Sequence, residues 1–354
     1  MSRVTFTLDD LRGELADFGR QSESARRRLA AWRDEAPTHA RRESVFHRGK
    51  LRLFHYVSAR SSDRRRPLLV VYALVNRPYM ADLLPETSLL GDLVARGIDL
   101  YLVDWGYPDA TDRGRGLADY VDGDLDACVE YVQRTRQVER VDLLGICQGG
   151  TLALCYAALN PGKVARLITT VTPVDFQTPT DLLSHLVRSV DIDALVNAYG
   201  NVPGEFLNAI FLAQKPLQLS AQKYVDFVAN ADNDASSELF LAMEKWIFDS
   251  PALAGEAFRQ FVKGCYQRNG LVNGSLRIGD RLVAPSRVRH RVLNVYARDD
   301  HLVPPAASKA LRTIIASDDY SEEEIPGGHI GIYVSPRARA QLVRRVADWL
   351  ESPG

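Results

Sequence analysis

RVDLLGICQGGTLALCYAALN, residues 140–160, is the stretch on which the fold turns. RVDLLGI reads as a strand, GGTLALCYAALN as a helix, and Gly145-Ile146-Cys147-Gln148-Gly149 as the turn between them. A glycine–x–nucleophile–x–glycine turn from strand into helix lifts one side chain clear of a sheet edge, and the glycines permit so tight a bend. Here the lifted group is a thiol. The helix start behind it brings a positive dipole end that favours thiolate over thiol. The backbone N–H of Gln148 is aimed at an oxyanion developing on a bound carbonyl. A buried structural cysteine is the alternative for any cysteine taken alone; strand before and helix after favour the nucleophile.

The same rhythm runs outward from this segment. LLVVYALV from Leu68, then TSLLGDLVARG, IDLYLVDW, LADYVDGDLDACVEYVQ and, beyond the elbow, ARLITTVTPV alternate strand-length apolar runs with amphipathic helices. Continuous apolar strands separated by helices form a parallel sheet buried on both faces, and right-handed crossovers make it doubly wound. After about residue 175 the pattern turns irregular and mainly helical until RVLNVYARDD (291–300), EEEIP and the last helix, RARAQLVRRVADWLES. The expected organisation is therefore a helical arm (1–45), an α/β core (46–175), a cap or lid insertion over the C-terminal edge of the sheet (176–285), and the rest of the core (286–354). Leu8, Leu11, Leu15, Phe18, Leu29 and Trp32 fall at mostly helical spacing in the arm. That helix is expected to pack on the core, with a partner-docking surface as the alternative. SVFHRGKLRLFHYVS reads as a β-hairpin around Gly49, and SARSSDRRRP (58–67) as a wet, polar loop.

Composition narrows the function. With 46% hydrophobic and 25% charged residues and a net charge of −1, the chain is ordinary globular protein with no global attraction for nucleic acid. No apolar stretch approaches the roughly 18–20 residues that cross a bilayer, and MSRVTFTLDDLRGE lacks the apolar segment of a secretory signal. A cytoplasmic location is the default. Cys128, Cys147, Cys155 and Cys265 have no CxxC or metal-type spacing and read as free thiols, so no metal or bound cofactor is expected.

Ligands of open α/β sheets sit at the carboxyl ends of the strands, and two further segments deliver reactive groups there. VLNVYARDDHLVPP ends a strand in Asp299, Asp300 and His301, all of which compete for the acid that follows the nucleophile in chain order. Asp300 is taken, with a structural hydrogen bond as the role of His301. IPGGHIGIYV places His329 third in that order, where the base belongs; an imidazole near its unperturbed pKa of about 6.5 can take a thiol proton and return it. His39, His47, His55, His185 and His290 have no such context. YALVNRPYM (72–80) follows the first core strand, where such folds place the other oxyanion donor; it is assigned to the N–H of Val75, against an ordinary strand-to-loop transition.

A thiol nucleophile suits acyl transfer, because thiol–thioester exchange is nearly balanced and the held acyl group stays activated. YALVNRPYM, VDWGYPD, LLGICQGG, TPVDFQTP, MEKWIFDSP, DHLVPP and PGGHIGIYV together resemble the catalytic subunit of a class III polyhydroxyalkanoate synthase, from about residue 48 to the C-terminus. That resemblance supports the choice of Asp300. It implies an α/β-hydrolase core with a mostly parallel sheet and a cap. It implies 3-hydroxyacyl-CoA substrates, short monomers by default, and a polyester kept in cytoplasmic granules. Cys147 would carry the growing chain, with His329 and Asp300 essential. It also implies a non-catalytic second subunit and homo- and hetero-oligomers. The rivals are a cysteine thioesterase or esterase of the same fold, a class IV synthase with a different helper, and a non-enzymatic granule-surface protein with a dead site.

Overall fold

The strand-length apolar runs do assemble into one sheet. The computed structural model describes residues 8–31, 41–57, 66–214 and 222–352. The eight strands of the central sheet are β1 (Arg42–Arg48), β2 (Leu51–Tyr56), β3 (Leu68–Val71), β4 (Leu100–Asp104), β5 (Val141–Ile146), β6 (Val164–Thr170), β7 (Arg291–Ala297) and β8 (Tyr320–Ile325), in the order β1-β2-β4-β3-β5-β6-β7-β8. β2 pairs antiparallel with both neighbours, and every other pairing is parallel. Gly49, at φ +58°, closes the β1–β2 hairpin where expected.

Alternate residues of the central strands face opposite layers. Leu69, Val71, Val103 and Leu143 join one core cluster, while Leu68, Val70, Leu102 and Leu144 join the other. Burial on both faces is what makes these strands uniformly apolar instead of alternating. Helices α3 (Asp126–Arg136) and α4 (Gln148–Leu159) flank β5 in sequence, and all twelve residues of α4 are buried. Before them comes α2 (Leu89–Ala95), capped by Ser88, whose hydroxyl accepts from the Gly91 N–H at 2.7 Å.

Two local differences from the sequence reading have plain causes. LLVVYALV is a strand only over its first four residues. From Tyr72 the backbone leaves the sheet and its polar groups find other partners: Trp105 Nε1 donates to the Tyr72 carbonyl at 2.9 Å, and the Leu74 N–H donates to Gln148 Oε1 at 2.9 Å. The N-terminal helix α1 (Leu8–Ala31) was expected on the core but packs instead on helices of the segment between β6 and β7. Small residues allow this approach: the Ser24 hydroxyl donates to the Ala231 carbonyl at 3.3 Å, and Ala25 is buried with Phe227, Ala231 and Leu241. Trp32 and residues 58–65 of the arginine-rich loop lie outside the described residues.

Between β6 and β7 the described residues form α5 (Leu182–Val187), α6 (Ile192–Tyr199), α7 (Gly204–Ala213), α8 (Lys223–Ala229), α9 (Asp234–Phe248) and α10 (Gly255–Phe261). Asp181, Asp191 and Asn233 cap three of these helices through side-chain oxygens, each satisfying a backbone N–H that would otherwise lack a partner. No helix among the described residues is long and apolar enough to cross a membrane.

Candidate active site

At the carboxyl end of β5 the chain turns into α4 through Cys147, which sits at φ +53°, ψ −126°. A non-glycine residue held at positive φ costs energy that surrounding contacts must supply. They do: the Cys147 N–H donates to the Thr170 carbonyl on β6 at 2.9 Å, and the Gly150 N–H returns to the Cys147 carbonyl at 2.9 Å. Close packing of α4 on the sheet explains the glycine two residues beyond Cys147. A Cβ on Gly149 would lie 2.6 Å from the Tyr72 carbonyl carbon and closer still to the Val71 carbonyl oxygen. Since both obstacles are backbone, Gly149→Ala is expected to lose about 1–3 kcal/mol of stability or more, read as a lowered Tm in a thermal melt.

Cys147 is half-buried, whereas Cys128, Cys155 and Cys265 are buried. Burial pushes the Cys155 thiol up to about 12 and holds those of Cys128 and Cys265 above the usual thiol value as well. Those three are inert core groups.

His329 and Asp300 meet beside the elbow. The ring Nδ1 and Asp300 Oδ2 are 2.7 Å apart, and both side chains are almost wholly buried. The other carboxylate oxygen, Oδ1, accepts from the backbone N–H groups of Leu302 and Val303, each at 2.9 Å. With Nδ1 taken, Nε2 is the nitrogen left for Cys147, which lines the same cavity as the ring. Burial alone would push the imidazole down. The charge of Asp300, then that of Cys147, and hydrogen bonds to both outweigh it and hold His329 well above the usual histidine value.

Asp299, Asp300 and His301 have different neighbours, and of the three Asp300 is the one bonded to the His329 ring. Asp299 turns to the backbone before the histidine, accepting from the Gly327 N–H at 3.2 Å, while its own N–H donates to the Gly327 carbonyl at 2.9 Å. It fixes the glycine turn, at φ +127° at Gly327, that presents His329. His301 lines the cavity over the site. His55, His185 and His290 hold Asp99, the Pro179 carbonyl and the Pro161 carbonyl, away from Cys147.

Ala73, Val75 and Asn76 line the same cavity as Cys147. The Leu74 N–H is occupied by Gln148, whereas the Val75 N–H has no acceptor among the described residues, and the Val75 side chain lines the cavity. Gln148 opens α4, so its own N–H is one of the first-turn donors a helix leaves unpaired. The cavity has a volume of about 470 Å³. Its floor is Cys147 and His329, and its walls include Leu207, Phe211, Trp246 and Phe261 from the helical segment.

Sequence reasoning missed how that segment grips the loop after Val75. Trp246 Nε1 donates to the Arg77 carbonyl at 2.8 Å, Arg77 pairs with Asp249 at 2.8 Å, and the Tyr79 hydroxyl reaches Asp249 at 3.2 Å. Only the recurrence of charged and aromatic side chains in NRPYM and MEKWIFDSP hinted at it. Among the described residues no group of three or more His, Cys, Asp or Glu side chains could hold a metal ion.

The strand order and the strand–Cys147–helix elbow define an α/β-hydrolase fold. The family model described as the alpha/beta hydrolase fold matches residues 66–336. Solved structures agree on the fold: a hydrolase from Pseudomonas aeruginosa PA01 superposes with a TM-score of 0.53 at 14% identity, covering 88% of this chain and 98% of its own. A thermophilic esterase from Thermogutta terrifontis does so at 0.52 and 14%, over 88% and 100%. Closer in sequence is the poly(3-hydroxyalkanoate) polymerase subunit PhaC of Thiocystis violacea, 50% identical over 310 residues that make up 87% of each chain. The PhaC of Allochromatium vinosum is 50% identical over 311 residues, 87% of this chain and 88% of that one. That of Synechocystis sp. is 46% identical over 316 residues, 87% and 84%. The chain belongs to the PhaC family of poly(3-hydroxyalkanoate) polymerases, which are acyltransferase-type synthases.

Proposed function

We propose that this protein is the catalytic subunit of a class III polyhydroxyalkanoate synthase, which joins short 3-hydroxyacyl-CoA units such as 3-hydroxybutyryl-CoA into polyester through a thioester on Cys147. The observation that carries the reading is the Asp300–His329 pair meeting Cys147 in the lining of one apolar cavity. His329 Nε2 takes the Cys147 proton, and the thiolate adds to the acyl-CoA carbonyl. The resulting oxyanion rests on the N–H groups of Gln148 and Val75. Collapse breaks the carbon–sulfur bond to CoA, whose thiolate recovers the proton from His329, leaving the acyl group on Cys147. The 3-hydroxyl of another unit then attacks that thioester with base assistance, and an ester bond forms as the Cys147 sulfur leaves and is reprotonated.

Both Asp300 oxygens are already engaged, which supports a role in orienting His329 over direct activation of the incoming hydroxyl. Apolar walls support exclusion of the water that would end the chain, and helices α5–α10 are the cap that opens for substrate and polymer. The relatives' names, each a polymerase subunit, support a separate non-catalytic subunit and hence hetero-oligomers. The polyester would anchor the enzyme at cytoplasmic granules.

The test is product analysis with purified protein, its co-purified partner and 3-hydroxybutyryl-CoA. CoA release accompanied by insoluble material that yields methyl 3-hydroxybutyrate on methanolysis is expected. Free 3-hydroxybutyrate equal to the CoA released would make the protein a thioesterase instead. The identity of the co-purified partner separates class III from class IV.

A further inference from the structure

The nucleophile and the two oxyanion donors come from two separate segments, and one side chain ties those segments together. Gln148 is 7% exposed, and its Oε1 accepts from the Leu74 N–H at 2.9 Å. The residue whose backbone N–H faces the oxyanion thus also reaches with its side chain into the loop that brings the second donor. Val75 is bracketed by fixed points: Trp105 on the Tyr72 carbonyl, Gln148 on the Leu74 N–H, and Trp246 on the Arg77 carbonyl. Of these, only the Gln148 bond links the loop directly to the elbow. It also removes the Leu74 N–H from competition with that of Val75 for a carbonyl above Cys147.

Resting on the mechanism proposed above, we infer that the Gln148 carboxamide is a positioning residue, setting the height of the Val75 N–H over Cys147 so that both donors converge on one acyl oxygen. An oxyanion donor contributes only when it stands within about 2.7–3.1 Å of the charge that forms, and losing one costs on the order of 10²–10³ in kcat. Displacing a donor while leaving it in the site should cost less.

The experiment compares Gln148→Met, close in shape but without the amide oxygen, with wild type in two reactions. One is CoA release from 3-hydroxybutyryl-CoA by the protein with its partner subunit. The other is alkylation of Cys147 by iodoacetamide, a displacement at a methylene that places no charge on an acyl oxygen and needs only the Cys147–His329 pair. A fall of about 10–100-fold in kcat is expected, with KM and the alkylation rate each within about threefold of wild type. Wild-type kcat in the variant would overturn the inference, and so would alkylation that slows as much as turnover, because the elbow itself would then be distorted. If the methionine variant does not fold, Gln148→Ala takes its place with the same readouts; there a water can satisfy the Leu74 N–H. Full turnover by Cys147→Ala would remove the underlying mechanism. An inactive Cys147→Ala beside a fully active Gln148→Met would remove only the role of Gln148.

Discussion

Cys147→Ala is expected to lower CoA release from 3-hydroxybutyryl-CoA by about 10⁴-fold or more, the scale on which enzymes lose rate when a covalent nucleophile is deleted. The fold should be unaffected. Alanine keeps the Cβ, so the positive φ at this position is no more strained than before, and the bonds that hold the elbow are made by backbone atoms. What remains is an oxyanion site and an apolar cavity with nothing to form the thioester. Cys147→Ser separates nucleophile geometry from sulfur chemistry. A hydroxyl occupies the same place, but any acyl group it captured would be an oxygen ester with little remaining drive to transfer. At most one CoA per active site is expected, with no polymer. Mass spectrometry of the stalled wild-type enzyme should find the acyl adduct on Cys147 and on none of the other three cysteines, whose burial keeps them protonated. Wild-type turnover by Cys147→Ala, followed with a free-thiol assay, would falsify the covalent mechanism.

How much of this could be read in the sequence depended on whether the information was local. The elbow is local: strand, two glycines and helix stand within residues 141–159, and the backbone that lifts Cys147 follows from that order. His329 and Asp300 were legible because chain order and two strand ends fix them to one sheet edge, β7 and β8 being parallel neighbours. The choice of Asp300 over Asp299 rested on the family resemblance, since adjacent side chains on a turn are not separated by any periodicity. Geometry supplies a physical reason, as Asp299 is held by the Gly327 backbone. The seat of α1 was not legible, because an amphipathic helix advertises an apolar face without saying which surface will cover it; here α8 and α9 do. The bond between Gln148 and Leu74 spans 74 positions and leaves no trace in composition or spacing. The same holds for the grip of Trp246 and Asp249 on Arg77.

Asp300→Asn is expected to cost about 10³–10⁴ in kcat while leaving the ring nearly in place, for a reason set by the neighbours of the carboxylate. The N–H groups of Leu302 and Val303 both point at Oδ1, so the amide of asparagine must offer them its oxygen. Its NH2 group then faces His329 Nδ1. The imidazole must accept there and carry its proton on Nε2, the tautomer that cannot take a proton from Cys147; the same substitution costs about 10⁴ in serine triads. The protonation equilibrium moves as well. In the wild type the negative charge of Asp300 is the largest influence raising His329, against burial, which lowers it. Without that charge burial gains the upper hand, so the imidazolium is lost at lower pH in the variant. The ¹³Cε1 resonance of His329, followed by NMR, should titrate with a midpoint well above 6.5 in the wild type and at a lower pH in Asp300→Asn. The first turnover then separates the two roles the carboxylate could have. If Asp300 orients His329, the initial burst of CoA falls together with chain growth, because acylation of Cys147 needs the base. If it instead activated the incoming hydroxyl, the burst would survive at the wild-type rate and only elongation would stop. Three of the carboxylate's roughly four acceptor sites are already taken by Leu302, Val303 and His329, so loss of the burst is the expected result.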